Sequence, residues 1–201
     1  MLVRLTLVCS GVSAAVQRGA FPRDEPADMP SLARASGLAG LLGKVDRALI
    51  APAFAARRTA EVLSLQPDEL EDLRDLDYGA WAGRSFAEVG AAEPEALAAW
   101  LHDPEAAPPK GESFADLSLR VARMLDRMVG EPGHTVAVTH ASVIRAAILH
   151  VIGAPQAGGR HIDVEPLSLT DLRSDGRRWT LRATGITARP PESATERGVS
   201  G

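Results

Sequence analysis

The chain has 201 residues, of which 45% are apolar and 24% are charged, and its net charge at pH 7 is −4. This length and balance are typical of one globular domain with a buried core. The negative charge excludes the broad basic surface with which proteins bind nucleic acid or anionic lipid. The single cysteine, Cys9, excludes an internal disulfide, and the histidines show no metal spacing, so we expect neither a metal nor a cofactor.

The first residues, MLVRLTLVCS, predict a buried strand over Val3–Cys9 that ends in the small residues Ser10 and Gly11. This apolar stretch is too short to span a membrane, and it lacks the long apolar region and cleavage site of a signal peptide. We therefore expect a cytoplasmic protein without a membrane partner.

Helical and strand patterns alternate through the first half of the chain. Ser85-Phe-Ala-Glu88 has capping-box spacing, so a helix is expected to begin there and to continue, with an interruption, to about Leu101. The apolar spacing before it predicts helices over 31–42 and 54–65 and strands over 46–51 and 70–76.

In the second half, Ser113 is predicted to cap a helix with one apolar face. From Arg189 onward Pro, Ser, Glu and Gly dominate, which predicts a disordered tail over 189–201 after a single domain over 1–188. The apolar face of the helix that Ser113 caps is formed by Leu117, Val121, Leu125 and Met128. The other predicted elements are a strand over 134–139, a helix over 141–152, and a hairpin of strands around 166–172 and 178–183.

Strands that alternate with helices predict an α/β fold, here a three-layer α/β/α sandwich with a mostly parallel central sheet. Ligands of such sheets bind at the carboxyl ends of the strands. The first and fourth predicted strands end at Ser10 and His140, so we expect the site between these two residues.

Several short motifs recur in an order that is typical of one known family. They are Ala51-Pro52, Thr59-Ala60, Leu73-Arg-Asp75, Tyr78-Gly-Ala-Trp-Ala-Gly83, Gly111-Glu-Ser113, and His140-Ala141 followed by Val143-Ile-Arg145. In their order, spacing and coverage the chain resembles the histidine phosphatase superfamily, the phosphoglycerate mutase-like proteins. The resemblance implies that family's fold, and a phosphatase ancestry in which the histidine of an Arg-His-Gly motif takes the phosphoryl group.

The first motif departs from the family pattern at the phosphate-binding residues. Where the family has Arg-His-Gly, this chain has Cys9-Ser10-Gly11, and where the family has an arginine at a helix start it has Ala55. The resemblance implies that the missing histidine was the nucleophile and that the two missing arginines held the phosphate. Each arginine–phosphate contact contributes about 1.5–3 kcal/mol, so losing both weakens phosphate binding by roughly two to four powers of ten.

Other family positions keep more of their chemistry. His140 is unaltered and is followed by Ala141 in place of glycine, while Asp75 keeps the carboxylate that the family supplies as a glutamate to protonate the leaving oxygen. An arginine shortly after the first motif often contacts phosphate in this family, and Arg18 is a candidate for that contact. We therefore expect Ser10, His140 and Asp75 as catalytic candidates and Cys9, Gly11, Arg18, Ala55 and Ala141 around the ligand.

Two further substitutes for the lost groups are weaker. Cys9 as a thiolate nucleophile would need the Cys-x-x-x-x-x-Arg loop of the cysteine-dependent phosphatases, but Ala15 occupies the arginine position. We expect Cys9 to pack as a small apolar residue. Arg57 and Arg58 lie close to Ala55 along the chain, but we expect them to be solvated helix residues.

Three functional interpretations stay open. In the first, the phosphohistidine mechanism is lost and the pocket binds a ligand or partner. In the second, a phosphomonoesterase or related hydrolase uses Ser10 as nucleophile with His140 and Asp75. In the third, His140 and Asp75 perform acid–base chemistry without a covalent intermediate. The helix start beside His140 favours a small anionic or phosphorylated ligand, and the family's habits imply a homodimer.

Overall fold

Strand β1 (Val3–Cys9) lies inside a six-stranded sheet in the computed structural model, which describes residues 3–188. The other strands are β2 (Arg47–Ile50), β3 (Asp68–Glu69), β4 (Gly133–Thr139), β5 (Leu169–Ser174) and β6 (Trp179–Ile186). Their order is β3-β2-β4-β1-β5-β6. The first four of these are mutually parallel, and β5 and β6 run antiparallel to their neighbours.

Within the described part of the chain, eight α-helices connect the strands. They are α1 (Ala14–Gln17), α2 (Met29–Ala35), α3 (Ala39–Leu42), α4 (Phe54–Val62), α5 (Phe86–Ala92), α6 (Pro94–His102), α7 (Phe114–Met128) and α8 (Ala141–Ile152). The connections from β1 to β2 and from β2 to β3 run toward one edge of the sheet, and the connection from β3 to β4 runs back. Because crossovers between parallel strands are right-handed, the helices of these two sets cover opposite faces of the sheet. The α8 helix packs against α7. The predicted α/β sandwich is confirmed.

The best-predicted elements are those with strong local signals. Ser113 caps α7 by accepting a hydrogen bond from Asp116 N at 3.0 Å, and the predicted apolar face of α7 is buried. The capping box at Ser85 is present, and Pro94 interrupts the long helical segment by starting α6. No helix among residues 3–188 is long and apolar enough to cross a membrane.

The predicted strand over 70–76 is wrong. In this part of the chain the strand is limited to Asp68–Glu69, which pairs with β2, and Glu71–Leu73 forms a 3₁₀ turn. Carbonyl oxygens of the segment are bound by side chains instead of a strand, since Arg120 donates to Asp72 O at 2.8 Å and Thr139 donates to Leu73 O at 2.7 Å. These donors lie far away in the sequence, so the local pattern could not show them.

The predicted helix over 31–42 is present but broken. It begins earlier, because Asp28 caps α2 by accepting from Ser31 N at 2.7 Å, and it continues through a 3₁₀ turn at Ser36–Leu38 into α3. The elements that were not predicted include α1 and the 3₁₀ turns at Gly79–Trp81 and Gln156–His161. The predicted tail over 189–201 lies outside the described residues.

Candidate functional site

The two predicted strand ends meet. In the register of β1 and β4, Cys9 is the partner of Thr139, so Ser10 and His140 follow the ends of neighbouring strands, and Ser10 N donates to Thr139 O at 2.8 Å. A cavity of about 540 Å³, here called the first cavity, opens at this edge of the sheet. The predicted site residues in its lining are Cys9, Ser10, Gly11, Ala55, Asp75, His140 and Ala141.

Three arginines considered as replacement phosphate ligands do not line the first cavity. Arg18 is exposed at the end of α1. Arg57 pairs with Glu69 at 2.5 Å, and Arg58 pairs with Glu61 at 2.5 Å. The expectation that Arg57 and Arg58 are surface residues therefore agrees with their positions, whereas Arg18 does not join the other predicted site residues.

The end of β1 is tightly packed and carries no charge. Gly11 N donates to Thr59 Oγ1 at 3.0 Å, and the same hydroxyl donates to Ala55 O at 2.7 Å. A Cβ atom at Gly11 would lie 2.8 Å from Ser31 Oγ, which is closer than side chains tolerate. The strand end is thus joined to α2 and α4 through small residues and hydroxyl groups.

Cys9 is buried in the same corner. Burial, with a further contribution from the Asp75 charge, raises the pKa of the Cys9 thiol to about 12. Nucleophilic cysteines have lowered pKa values, because the thiolate is the reactive form. The expectation that Cys9 packs as a small apolar residue agrees with this environment.

The end of β4 is polar. His140 Nδ1 lies 3.7 Å from Asp75 Oδ2, beyond hydrogen-bond distance, and His140 Nε2 is buried without a hydrogen-bond partner among residues 3–188. Asp75 Oδ1 accepts hydrogen bonds from Ser142 Oγ and, at 2.8 Å, from Leu76 N. The start of α8, which the sequence predicted to face an anion, therefore already faces the carboxylate of Asp75.

The first cavity contains more acidic than basic side chains. Its basic residues are Arg23 and Arg145, and its acidic residues are Asp24, Glu25, Asp75 and Asp77. Arg23 Nε donates to Glu25 Oε1 at 2.5 Å, and this hydrogen bond holds the pKa of the Glu25 carboxyl below its usual value. Charge at this site is thus opposite in sign to that of a phosphate-binding site.

The family is established by direct comparison. A sequence profile of the histidine phosphatase superfamily (branch 1) matches residues 31–187. The chain belongs to this superfamily. A bifunctional protein of Mycobacterium tuberculosis (strain ATCC 25618 / H37Rv) is 37% identical over 150 residues, which are 72% of this chain and 40% of that protein. The chain therefore spans less than half the length of the first curated relatives that it matches.

Other similar proteins are phosphatases of comparable length. An adenosylcobalamin/alpha-ribazole phosphatase of Salmonella typhimurium is 28% identical over 174 residues, covering 81% of this chain and 86% of that one. The crystal structure of the alpha-ribazole phosphatase from Shigella flexneri matches with a TM-score of 0.83 at 24% identity, covering 94% of this chain and 99% of that one. At this identity the structural match shows the shared fold.

Sequence reasoning missed two site residues of this superfamily member, Ser142 and Arg145. Both project from the start of α8 into the first cavity, and Arg145 Nε donates to Ile162 O at 2.8 Å. Residues three apart in a helix share a face, so the spacing of Ser142 and Arg145 just after His140 was an available signal. In the sequence, Arg145 stands out only as part of the Val143-Ile-Arg145 motif.

Glu112 of the Gly-Glu-Ser motif has a structural role. It accepts two hydrogen bonds from Arg120, at 2.9 and 2.8 Å, and one from Arg74 at 3.1 Å. Arg120 also donates to Asp75 O at 3.0 Å. Glu112 therefore fixes the arginine that holds the backbone of Asp75, and it does not line the first cavity.

The loop Tyr78–Gly83 is anchored in the core at one residue and open to the site at another. Trp81 is fully buried against Phe21, and its indole Nε1 donates to Glu93 Oε2 at 2.9 Å. Tyr78 lines the first cavity. The loop is thus anchored by its tryptophan and presents its tyrosine to the site.

Proposed function

We propose that this protein is a histidine phosphatase superfamily member that lacks the phosphohistidine mechanism, and that it binds a small ligand in the first cavity without a covalent step. Phosphoryl transfer to a side chain needs a competent nucleophile and positive groups around the equatorial oxygens. The resemblance assigns these tasks to the positions of Ser10, Cys9 and Ala55, none of which carries a suitable group.

The observation that carries the proposal is the unpartnered Nε2 atom of His140. A serine becomes a nucleophile when a base within hydrogen-bond reach accepts its proton. Since Nε2 has no partner among residues 3–188, this nitrogen is not hydrogen-bonded to Ser10, and Nδ1 lies 3.7 Å from Asp75 Oδ2, too far for that carboxylate to orient the ring. This arrangement argues against an activated serine.

The charges of the first cavity support the same proposal. Arg23 is paired with Glu25, and the Asp24 carboxylate accepts a hydrogen bond from Phe54 N at 2.8 Å, at the start of α4. In this superfamily the start of that helix is where an arginine is expected to hold the phosphate. A carboxylate near this position repels a phosphate ester, so the first cavity suits an uncharged polar part of a ligand.

A second candidate function is a phosphomonoesterase. It is favoured by the presence of Ser10, His140 and Asp75 in the lining of one cavity, and by phosphatases among the relatives at 28% identity. Acid–base chemistry by His140 and Asp75 without a covalent intermediate is a third candidate function, which would use two of the same side chains.

An aryl phosphate assay separates these functions. We expect the purified protein to release no p-nitrophenol from p-nitrophenyl phosphate above the blank between about pH 5 and 8, the range in which histidine changes charge. An active phosphatase of the superfamily, assayed in parallel, shows that the conditions are adequate. Release that is abolished by both Ser10→Ala and His140→Ala would establish the serine phosphatase. Release that survives Ser10→Ala but not His140→Ala would establish acid–base chemistry.

A further inference from the structure

A second cavity of about 140 Å³ adjoins the first and shares part of its wall. The residues that line both cavities are Leu76, Tyr78, Ser142 and Arg145. Ligand sites in proteins have volumes of roughly 300–1,000 Å³, so the first cavity has the size of a ligand site and the second has the size of an extension. Because a water molecule takes about 30 Å³, the second cavity holds roughly four or five groups of that size.

The two cavities differ in charge. The second is lined by Arg145 and Arg160 against a single carboxylate, Asp103, whereas acids outnumber arginines two to one in the first. Aromatic side chains form much of the remaining wall of the second cavity, with Trp100 and Phe114. Arg145 lies on the shared wall, so an anionic group meets an excess of positive charge in the second cavity and an excess of negative charge in the first.

Both arginines of the second cavity are held in place without being neutralised. Arg145 is anchored by the hydrogen bond from Nε to Ile162 O, and Arg160 donates to Trp100 O. The Arg160 guanidinium also lies over the Trp100 ring, 5.5 Å from its centroid. Among residues 3–188 neither arginine makes an ion pair, in contrast to Arg23 at the mouth of the first cavity. Pre-oriented, unpaired guanidinium groups are well suited to carboxylate and phosphate oxygens.

We propose that the ligand carries an anionic group, a carboxylate or a phosphate, that binds in the second cavity against Arg145 and Arg160. The rest of the ligand lies in the first cavity beside His140. This inference rests on the proposed function, because it assigns the ligand class of the same non-covalent site. The anion is thereby moved away from the strand end where the superfamily holds phosphate, toward the neighbouring wall of the site.

The assignment is tested by adding small probe molecules to the full chain labelled with ¹⁵N and recording the shifts of its backbone amide signals by NMR. The probes are benzoate and phenyl phosphate, with benzyl alcohol as the uncharged control. We expect both anions, or one of them, to shift the amides of Ser142, Ala157 and Gly159, while benzyl alcohol binds at least tenfold more weakly. Whichever of the two anions binds more tightly identifies the anionic group of the ligand as a carboxylate or a phosphate.

Arg160→Gln is the discriminating variant, because Arg160 lines only the second cavity. Loss of one arginine–anion contact should weaken binding by about 10- to 150-fold. The matched control is Arg57→Gln, which removes an exposed arginine paired with Glu69 and should leave binding unchanged. Asp103→Asn should tighten binding severalfold, which gives a second readout if Arg160→Gln loses the native spectrum.

Unchanged binding in Arg160→Gln, shifts confined to the Ser10 and Gly11 amides, or equal binding of benzyl alcohol would overturn the assignment. Phosphate release from phenyl phosphate is measured on the same samples. Turnover would refute the proposed function while leaving the Arg160 comparison interpretable, so the two failures are distinguishable.

Discussion

The ends of β1 and β4 lie side by side, yet their polar groups are used in opposite ways. At the end of β1, Gly11 N–H and the Thr59 hydroxyl have partners, and no charge is present. At the end of β4, His140 keeps an unpartnered ring nitrogen beside the Asp75 carboxylate. Buried polar groups in native proteins are usually satisfied, and a functional role is one explanation for an exception. The comparison shows that the polar groups at the end of β1 hold the strand to its neighbours, and it agrees with the proposal that the end of β4 is kept for a ligand.

The largest expected effect concerns the reactivity of Cys9 on the β1 side. Since burial raises its pKa to about 12, the thiolate fraction at pH 8 is about 10⁻⁴, against roughly a quarter for an ordinary cysteine. Alkylation by iodoacetamide should therefore be about a thousandfold slower in the native protein than in urea. The folded-state rate should rise about tenfold for each pH unit up to pH 11.

Mass spectrometry of samples quenched over time measures this difference. Complete labelling of the native protein within minutes at pH 8 would show an accessible thiolate. In that case the end of β1 would be a reactive site and its contrast with β4 would disappear.

Thr59→Val tests the structural joint at the end of β1. The substitution keeps the shape of the side chain but leaves the buried Gly11 N–H without its partner. An unsatisfied buried donor costs about 1–3 kcal/mol, so the free energy of unfolding should fall by that amount. Urea denaturation followed by circular dichroism measures it.

The matched control is Thr180→Val on β6, where the side chain is exposed. This substitution should change the free energy of unfolding by no more than about 0.5 kcal/mol. Equal changes in the free energy of unfolding for Thr59→Val and Thr180→Val would mean that the Thr59 hydroxyl does not hold the end of β1.

Elements with local signals could be predicted from the sequence. Apolar runs and caps predicted β1, β4 and the capped α7 helix, because their stability comes from periodic burial and from residues at their own ends. The segment 70–76 could not be predicted, because Arg120 and Thr139 bind its carbonyl groups from far along the chain. Its own letters give no sign of these donors.

The candidate site was predictable to a similar extent. Ser10, His140 and Asp75, which the motif order singled out, line one cavity. Ser10 and His140 follow the ends of neighbouring strands, whereas Asp75 follows the 3₁₀ turn at Glu71–Leu73. The second cavity could not be foreseen, because Trp100 and Arg160 come from unrelated segments that meet only in the fold. An arginine that is already paired with a carboxylate is less available to a ligand. Which arginines are paired depends on the neighbours that the fold gives them, so it cannot be read from the sequence.

The smallest expected effect is a change in the free energy of unfolding, measured for two histidines at opposite ends of β4. His134 in β4 is buried with both ring nitrogens bonded, at 2.8 Å to Thr6 Oγ1 and at 2.8 Å to Lys44 O. In His140, after the end of β4, Nε2 has no hydrogen-bond partner among residues 3–188, and Nδ1 lies 3.7 Å from Asp75 Oδ2. His134→Ala should therefore lower the free energy of unfolding by about 1–3 kcal/mol. His140→Ala should change it by less than about 1 kcal/mol, or raise it, because a group kept for ligand binding often costs stability.

Urea denaturation of both variants at pH 7.5 measures the difference. If His140→Ala lowered the free energy of unfolding as much as His134→Ala does, His140 would stabilise the fold through hydrogen bonds of its own. His140 would then no longer be free for a ligand, and the ends of β1 and β4 would be two parts of one structural joint. A smaller loss at His140 leaves its imidazole available to the first cavity, which is the property that the ligand assignment requires.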